Sequence, residues 1–393
     1  MSCPACGTTA ETTPFYEQSD IPVNSCLLVD DEQTAVSFPR GDLALALCPA
    51  CGFVFNSRFD PASTAYSPDY EETQGFSGVF RDFIGELAEH WVKTYDLVDK
   101  TVVELGCGKG EFLTEMIRAG VGRSVGVDPG IHPERIPSDV ADRLDCVRGF
   151  FPEDFPVLDA DAVVCRHTLE HIAPVGEWMR SIRAAIGDRT STPVLFELPD
   201  TRRVLAEGAF WDVYYEHCSY FTTGSLARLF RATGFEVLDV WRAYDDQYVI
   251  IEARPTSAPA AGEPMAIETD LYELATMTTG FARAQAEVID RWRSRLRDVT
   301  GQGDGTAVMW GSGSKGVAFL AALGADASLV QSAVDINPFK HGKYMAGTGH
   351  RILAPDELVN VRPDLVIVMN PAYRDEVQAD LDRLGLDTTV ETL

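Results

Sequence analysis

Apolar positions recur along the chain with two different spacings, and the changes of spacing mark its elements. Phe76, Val79, Phe80, Phe83, Ile84, Leu87 and Trp91 advance by threes and fours, which predicts one helix with a buried stripe. Short apolar runs follow. "TVVELG", "SVGVD", "DCVRG", "DAVVCRH" and "VLFELP" predict five strands, and "GEFLTEMIRAG" and "SLARLFRATG" predict helices that each stop at a glycine. "FEVLDVWRAYDDQYVIIEA" predicts two more strands joined by a polar turn. Seven strands alternating with helices and closing on a hairpin predict an α/β doubly wound sheet.

The pattern then breaks at "RPTSAPAAGEP" (254–264), whose Pro, Ala and Gly content predicts a linker. Ile267, Leu271, Leu274, Phe281, Val288, Trp292 and Leu296 keep helical steps over roughly 267–299. A helix that long is expected to pack across two domains or against a dimer partner. The last ninety or so residues open on "TAVMWGSGSKGVAFLAALG", a second strand, Gly-rich turn and helix. Further strands are predicted to end at Asp335 and to cover "DLVIVMN". Four segments result: 1–60, 61–254, 255–300 and a Rossmann-like 301–393. The two Gly-rich units suggest related topologies without a sequence repeat.

Composition narrows the class. The 393 residues carry 33 basic and 60 acidic side chains, a net charge of −27. Such a surface argues against an RNA-associated protein that binds a nucleic-acid backbone. No apolar run reaches the roughly 18 residues of a membrane span, and the start lacks a signal-peptide pattern, so a cytoplasmic protein is expected. Nine cysteines in that setting argue against disulfides. Four form two "CPAC" pairs, Cys3 with Cys6 and Cys48 with Cys51, each followed by Gly. Two such knuckles predict a closed four-sulfur site for a structural Zn²⁺, in a ribbon with a long insertion; two separate redox pairs are the alternative.

The candidate cofactor site is "VVELGCGKGEFL". Gly106, Gly108 and Gly110 alternate between a strand and a helix, where bare backbone lets a ligand come close. Glu104 precedes the turn, and Asp128 ends the next strand 22 residues beyond Gly106, placed for ribose hydroxyls. The fourth strand runs into "CRHTLEHI", bringing His167, Glu170 and His171 to the same sheet edge. Together with the closing hairpin, these features resemble the class I S-adenosylmethionine-dependent methyltransferases. That resemblance implies donor binding by Glu104, Gly106, Gly108, Gly110, Asp128 and His167. Lys109 adds a positive charge for the donor's carboxylate. His171 is a second candidate base, or a residue that orients its loop.

"FWDVYYEHCSYF" (210–221) follows the fifth strand, on the edge where open α/β sheets bind ligands. Half its residues are aromatic, and Glu216 and His217 lie among them, so it predicts a loop or lid beside the methyl donor. The order of zinc module, methyltransferase core, Tyr-x-Glu-His segment and C-terminal α/β unit resembles the sugar C-methyltransferases of deoxysugar biosynthesis over essentially the whole chain. The resemblance implies a nucleotide-linked 4-keto sugar as substrate. It implies a base that removes the proton beside the ketone, and an enolate that takes the methyl group.

On that resemblance His217 is the base, and Glu216 orients it or binds a substrate hydroxyl. Tyr214 and Tyr70 donate hydrogen bonds to the enolate oxygen, with Tyr66 the alternative to Tyr70. A satisfied Glu–His pair that only holds the loop shut is the structural alternative. Tyr215 stands where many relatives have a second His. Asp246 and Gln247 replace a His-Gly-Gly type of turn. In the C-terminal turn Gly313, Ser314 and Lys315 are expected to hold the substrate's diphosphate, and Asp335 and Lys340 to meet a nucleoside. The alternative activity is O- or N-methylation of another small metabolite. A monomer or homodimer is expected.

Overall fold

The computed structural model describes residues 2–9, 12–64, 69–257, 263–301 and 305–393. Among them three sheets form. The largest comprises β1 Thr101–Leu105, β2 Arg123–Val127, β3 Leu144–Val147, β4 Ala162–Arg166, β5 Val194–Pro199, β6 Phe235–Ala243 and β7 Tyr248–Pro255. Their order across the sheet is 3-2-1-4-5-7-6. Strands β1 to β5 are parallel, and β7 inserts antiparallel between β5 and β6. This is the class I methyltransferase sheet. Its central strands are continuous apolar runs because helices cover both faces. Val103, Cys165 and Phe196 pack on one side, and their neighbours Val102, Val164 and Leu195 on the other.

The helix predicted from Phe76 runs over Gly78–Thr94, with the Ser77 side chain as its N-cap. Phe80, Ile84, Leu87 and Trp91 are buried as predicted, but Val79 is exposed, since one residue before Phe80 it lies about 100° round the helix from their stripe. A helix over Val175–Ile186 was not read from the sequence.

A four-stranded sheet forms from Pro14–Pro22, Arg40–Leu47, Val54–Asn56 and Ser219–Tyr220. The last of these belongs to the aromatic segment 210–221, so that segment is stitched into the N-terminal module. The third sheet is parallel throughout, in the order Ile352–Leu353, Val330–Val334, Ala307–Trp310, Leu365–Val368, Thr389–Thr392.

The long helix spans Leu271–Thr300, and Ile267 falls in a 3-10 turn before it. Phe281 meets Tyr16 of the N-terminal sheet edge-on at 5.1 Å, and Trp292 meets Phe319 of the C-terminal unit at 5.7 Å. The helix therefore joins two units of one chain. Arg254 and Pro255 belong to β7, and linker residues 258–262 lie outside the described residues. No described helix is long and apolar enough to cross a membrane.

Candidate active site

A cavity of about 1020 Å³ opens where the carboxyl edge of the large sheet, the aromatic segment and the C-terminal unit meet. The β1 turn forms one wall. Gly106, Gly108 and Gly110 have φ of +72°, +52° and +77°. A Cβ on Gly106 would lie 1.9 Å from Thr168 Oγ1, and one on Gly108 would lie 2.6 Å from Glu72 Oε1. Only glycine fits such a turn, and its bare backbone suits a donor lying close against it. Asp128 accepts from the Gly108 and Gly130 amides at 3.0 and 2.6 Å. At the base of the turn, burial raises the Glu104 carboxyl to about 8 against the pull of Arg166, and its Oε2 has no hydrogen-bond partner. These features fit the adenosyl donor.

Lys109 departs from expectation. Its buried ammonium donates to the Tyr70 and Gly130 carbonyls, at 2.9 and 3.0 Å. It therefore ties segment 70–72 to the β2 turn.

The edge of β4 carries a charge network that sequence reasoning missed. Arg166 binds Glu197 through two hydrogen bonds of 3.0 and 2.9 Å, and its guanidinium lies 4.3 Å over Phe112. His167, at φ +48°, reaches Glu197 at 2.8 Å and Glu170 at 3.4 Å. Burial pulls the His167 imidazole down, but the two carboxylates overcome it and raise the group to about 9. Burial likewise opposes ionisation of Glu197, yet Arg166 and His167 hold it at about 2. The available signal was a lone acid inside the apolar strand "VLFELP": a buried charge needs partners.

The side chains of the aromatic segment divide between the cavity and the core. Tyr214, Glu216 and His217 line the cavity. Phe210, Trp211, Val213 and Tyr215 pack into the core shared by the N-terminal sheet, the long helix and the C-terminal unit. Tyr215 points away from the reaction space. A Cβ on Gly41 would lie 2.5 Å from its ring, and its hydroxyl accepts from the Asp60 amide at 3.0 Å. The segment thus forms one wall of the cavity and is packed against the N-terminal sheet on its other side.

His217 sits 4.1 Å from the Tyr214 ring and 4.7 Å, edge to face, from His171. Burial, and then the charges of His171, His167 and Lys315, hold its imidazole well below its ordinary range. Burial raises the Glu216 carboxyl, opposed by His171, Ser25 and the Tyr70 hydroxyl. His171 Nδ1 lies 3.2 Å from the Glu216 carbonyl, the contact of a residue that orients its loop. Tyr70 is buried and lines the cavity; Tyr66 lies outside the described residues.

The opposite wall is the C-terminal turn. Gly313, Ser314, Lys315, Asp335 and Lys340 all reach the cavity. The Lys315 ammonium is already paired with Asp212 of the aromatic segment, which also binds Arg203. Asp335 pairs with Lys340 at 3.4 Å. Gln247, flagged by its unusual turn, donates to Asn370 at 3.0 Å and so joins the core to the C-terminal unit.

Away from the cavity, Cys3 and Cys51 approach to 3.7 Å and Cys6 and Cys48 to 3.8 Å, and the four sulfurs lie within 4.8 Å of one another. Gly7 and Gly52, at φ +73° and +69°, close the two knuckles, each amide donating to the carbonyl of its first cysteine at 2.9 Å.

Known proteins match this architecture in two blocks. A methyltransferase-domain family matches residues 77–240, and a family described as the C-methyltransferase C-terminal domain matches residues 258–387. The C-methyltransferase NovU of Streptomyces niveus is 27% identical over 320 residues, 75% of this chain and 73% of its own length. A ribosomal protein L11 methyltransferase of Alteromonas mediterranea is 36% identical over 86 residues, 20% of this chain and 28% of its own. Among solved structures, a Burkholderia thailandensis 1,6-didemethyltoxoflavin-N1-methyltransferase aligns with a TM-score of 0.36 at 18% identity, over 52% of this chain and 96% of its own. With a donor turn, a closing hairpin and both halves matched, the chain is an S-adenosylmethionine-dependent methyltransferase similar over most of its length to a C-methyltransferase.

Proposed function

We propose that this methyltransferase acts on the carbon beside the ketone of a nucleotide-linked keto-deoxysugar, through an enolate. The observation that carries the reading is that Tyr70, Tyr214, Glu216 and His217 line the same cavity as the donor turn. Bound S-adenosylmethionine supplies an electrophilic methyl group on a sulfonium. The donor's ribose falls to Asp128, and its amino-acid end to the Gly106–Gly110 turn above Glu104, with His167 beside it.

His217 is held neutral, so a ring nitrogen has a lone pair to take the proton from the substrate carbon. The C–H electron pair moves into the enolate, whose oxygen gains negative charge. Tyr214, kept as a phenol by burial, donates to that oxygen as the charge develops, and Tyr70, whose hydroxyl is given to Glu216, closes the same space. The buried carboxylate of Glu216 orients a substrate hydroxyl. The surrounding aromatic wall excludes water from the carbanion. Gly313, Ser314, Lys315, Asp335 and Lys340 hold the nucleotide end.

A structural Zn²⁺ in the four-cysteine site completes the proposal. Zn–S bonds of about 2.3 Å in a tetrahedron place sulfurs about 3.8 Å apart, a spacing that Cys3–Cys51 and Cys6–Cys48 match at 3.7 and 3.8 Å.

Deuterium exchange tests the chemistry. A candidate nucleotide-linked keto sugar, incubated in D₂O with enzyme and without donor, should gain deuterium at the carbon beside the ketone. His217→Asn should stop the exchange while leaving donor binding intact. Turnover without exchange would favour transfer to oxygen or nitrogen.

A further inference from the structure

The insertion between the cysteine knuckles contributes to the reaction space. Asn24, Ser25 and Cys26 are buried, and Asn24 and Cys26 line the cavity. Asn24 Oδ1 accepts from the Cys26 and Leu27 amides at 3.3 and 3.2 Å, a side-chain turn that presents Ser25 inward. The same loop pairs with the segment carrying Tyr70. Leu27 bridges Tyr70, the Glu71 amide donates to the Cys26 carbonyl at 2.8 Å, and the Leu28 amide donates to Asp69 at 3.2 Å.

We infer that Ser25 is a positioning residue for Glu216, delivered by the insertion and fixing that carboxylate from two donors at once. Its amide donates to Glu216 Oε1 at 3.1 Å, and its hydroxyl donates to the same oxygen. The Tyr70 hydroxyl adds a further donor to the carboxylate. A buried carboxylate keeps its charge and orientation only when such donors replace water. Ser25 Oγ also lies 2.7 Å from Ser314 Oγ, so the hydroxyl that serves Glu216 is itself held by the C-terminal turn. Ser25 thus links the Glu216 carboxylate of the aromatic segment to the C-terminal turn.

The inference rests on the proposed role of Glu216, and the pH profile separates the two. Tyr70, Tyr214, Cys26 and His171 face Glu216. Burial holds Tyr214 and Cys26 protonated, and His217 is held neutral. Glu216 itself is pushed upward by burial, and Ser25 is among the groups opposing that push. Removing Ser25's hydroxyl therefore raises it further.

The experiment compares Ser25→Ala, Ser25→Thr, Ser314→Ala and Glu216→Gln in the full chain, following kcat, KM for the donor and the acid limb of kcat/KM. Ser25→Ala should lower kcat at pH 7 by roughly tenfold to a hundredfold, the scale of a lost hydrogen bond to a charged group. Donor KM should stay within about twofold, and the acid limb should move to higher pH. Ser25→Thr, which keeps the hydroxyl, should restore both, and Ser314→Ala should show a smaller shift of the same sign. Wild-type kcat and acid limb in Ser25→Ala, beside an inactive Glu216→Gln, would overturn the inference. So would a loss equal at every pH that threonine does not restore, since that is the signature of packing. A fully active Glu216→Gln would overturn the role of the carboxylate, and this inference with it.

Discussion

The two Gly-rich turns of this chain share a hydrogen-bond scheme and differ in what they leave for a ligand. In the first, the Gly106 amide donates to the Val127 carbonyl and the Asp128 amide to Val147, while Asp128 accepts from the Gly108 and Gly130 amides. In the second, Gly311 donates to Val334 and Asp335 to Leu353, while Asp335 accepts from the Ser312 and Asn337 amides. The backbone logic is the same. The side chains are not. The first turn has three glycines at positive φ, and its one lysine is spent on carbonyls. The second has only Gly311 at positive φ, and Asp335 is further bound by the Ser312 hydroxyl at 2.6 Å and by Lys340. One turn is a bare cradle with carboxylates at its edges, suited to a cationic donor. The other is a rigid, charge-paired post that carries Lys315 to Asp212 and Ser314 to Ser25, holding the aromatic wall in place.

Alanine at one glycine of each turn should break the symmetry most sharply. In Gly106→Ala the new Cβ meets Thr168 Oγ1 at 1.9 Å, and a left-handed backbone adds about 1–2 kcal/mol of strain. Donor binding by calorimetry should disappear. Gly313 has φ −83°, and the nearest atom to its Cβ is Lys340 Nζ at 3.8 Å. Gly313→Ala should keep the wild-type donor affinity. Equal losses in both variants would refute the division of labour.

The aspartates sharpen the same contrast at smaller scale. Asp128→Ala leaves the Gly108 and Gly130 amides without their acceptor and removes the proposed ribose ligand. Donor affinity should fall roughly tenfold to a hundredfold. Asp335→Ala should leave donor affinity unchanged but strand the Lys340 ammonium. Removing one partner of a buried pair costs about 3–5 kcal/mol, so denaturant unfolding should show the loss directly.

Much of this was legible in the sequence because backbone constraints write themselves into residue types. Alternating glycines, a strand-terminal Asp and paired CxxC knuckles each reflect a local requirement, and each falls where its spacing predicts. The Tyr-x-Glu-His order brings three side chains to the cavity because the chain turns at Tyr215 and Glu216, sending Tyr215 into the core and leaving Tyr214, Glu216 and His217 on the cavity. What the sequence concealed were partnerships set by tertiary contact. Nothing local marks Lys315 as the partner of Asp212, 103 positions away, or Ser25 as the donor to Glu216, 191 positions away. Lys109 looked like a cofactor ligand because its own segment does not show the carbonyls that capture it. Tyr215 looked like a change in the active site, yet its ring packs beneath Gly41.

The two walls should also respond differently to pH, because their buried charges titrate in different ranges. His167 is raised to about 9 from an ordinary value of 6.5. The folded protein holds that proton more tightly than the unfolded chain. Its stabilisation is therefore complete below about 6.5 and is lost as pH rises through about 9. Asp335 is lowered and Lys340 raised relative to their usual values, so that pair keeps its charge throughout the same window. The stability gap between wild type and His167→Gln, from denaturant unfolding, should shrink by on the order of 1–3 kcal/mol between pH 6 and pH 9.5. The gap to Lys340→Met should stay constant over that range. A His167→Gln gap that did not change with pH would mean that its imidazole is neutral between Glu170 and Glu197. The positive charge of the donor wall would then rest on the Arg166 guanidinium and the Lys109 ammonium.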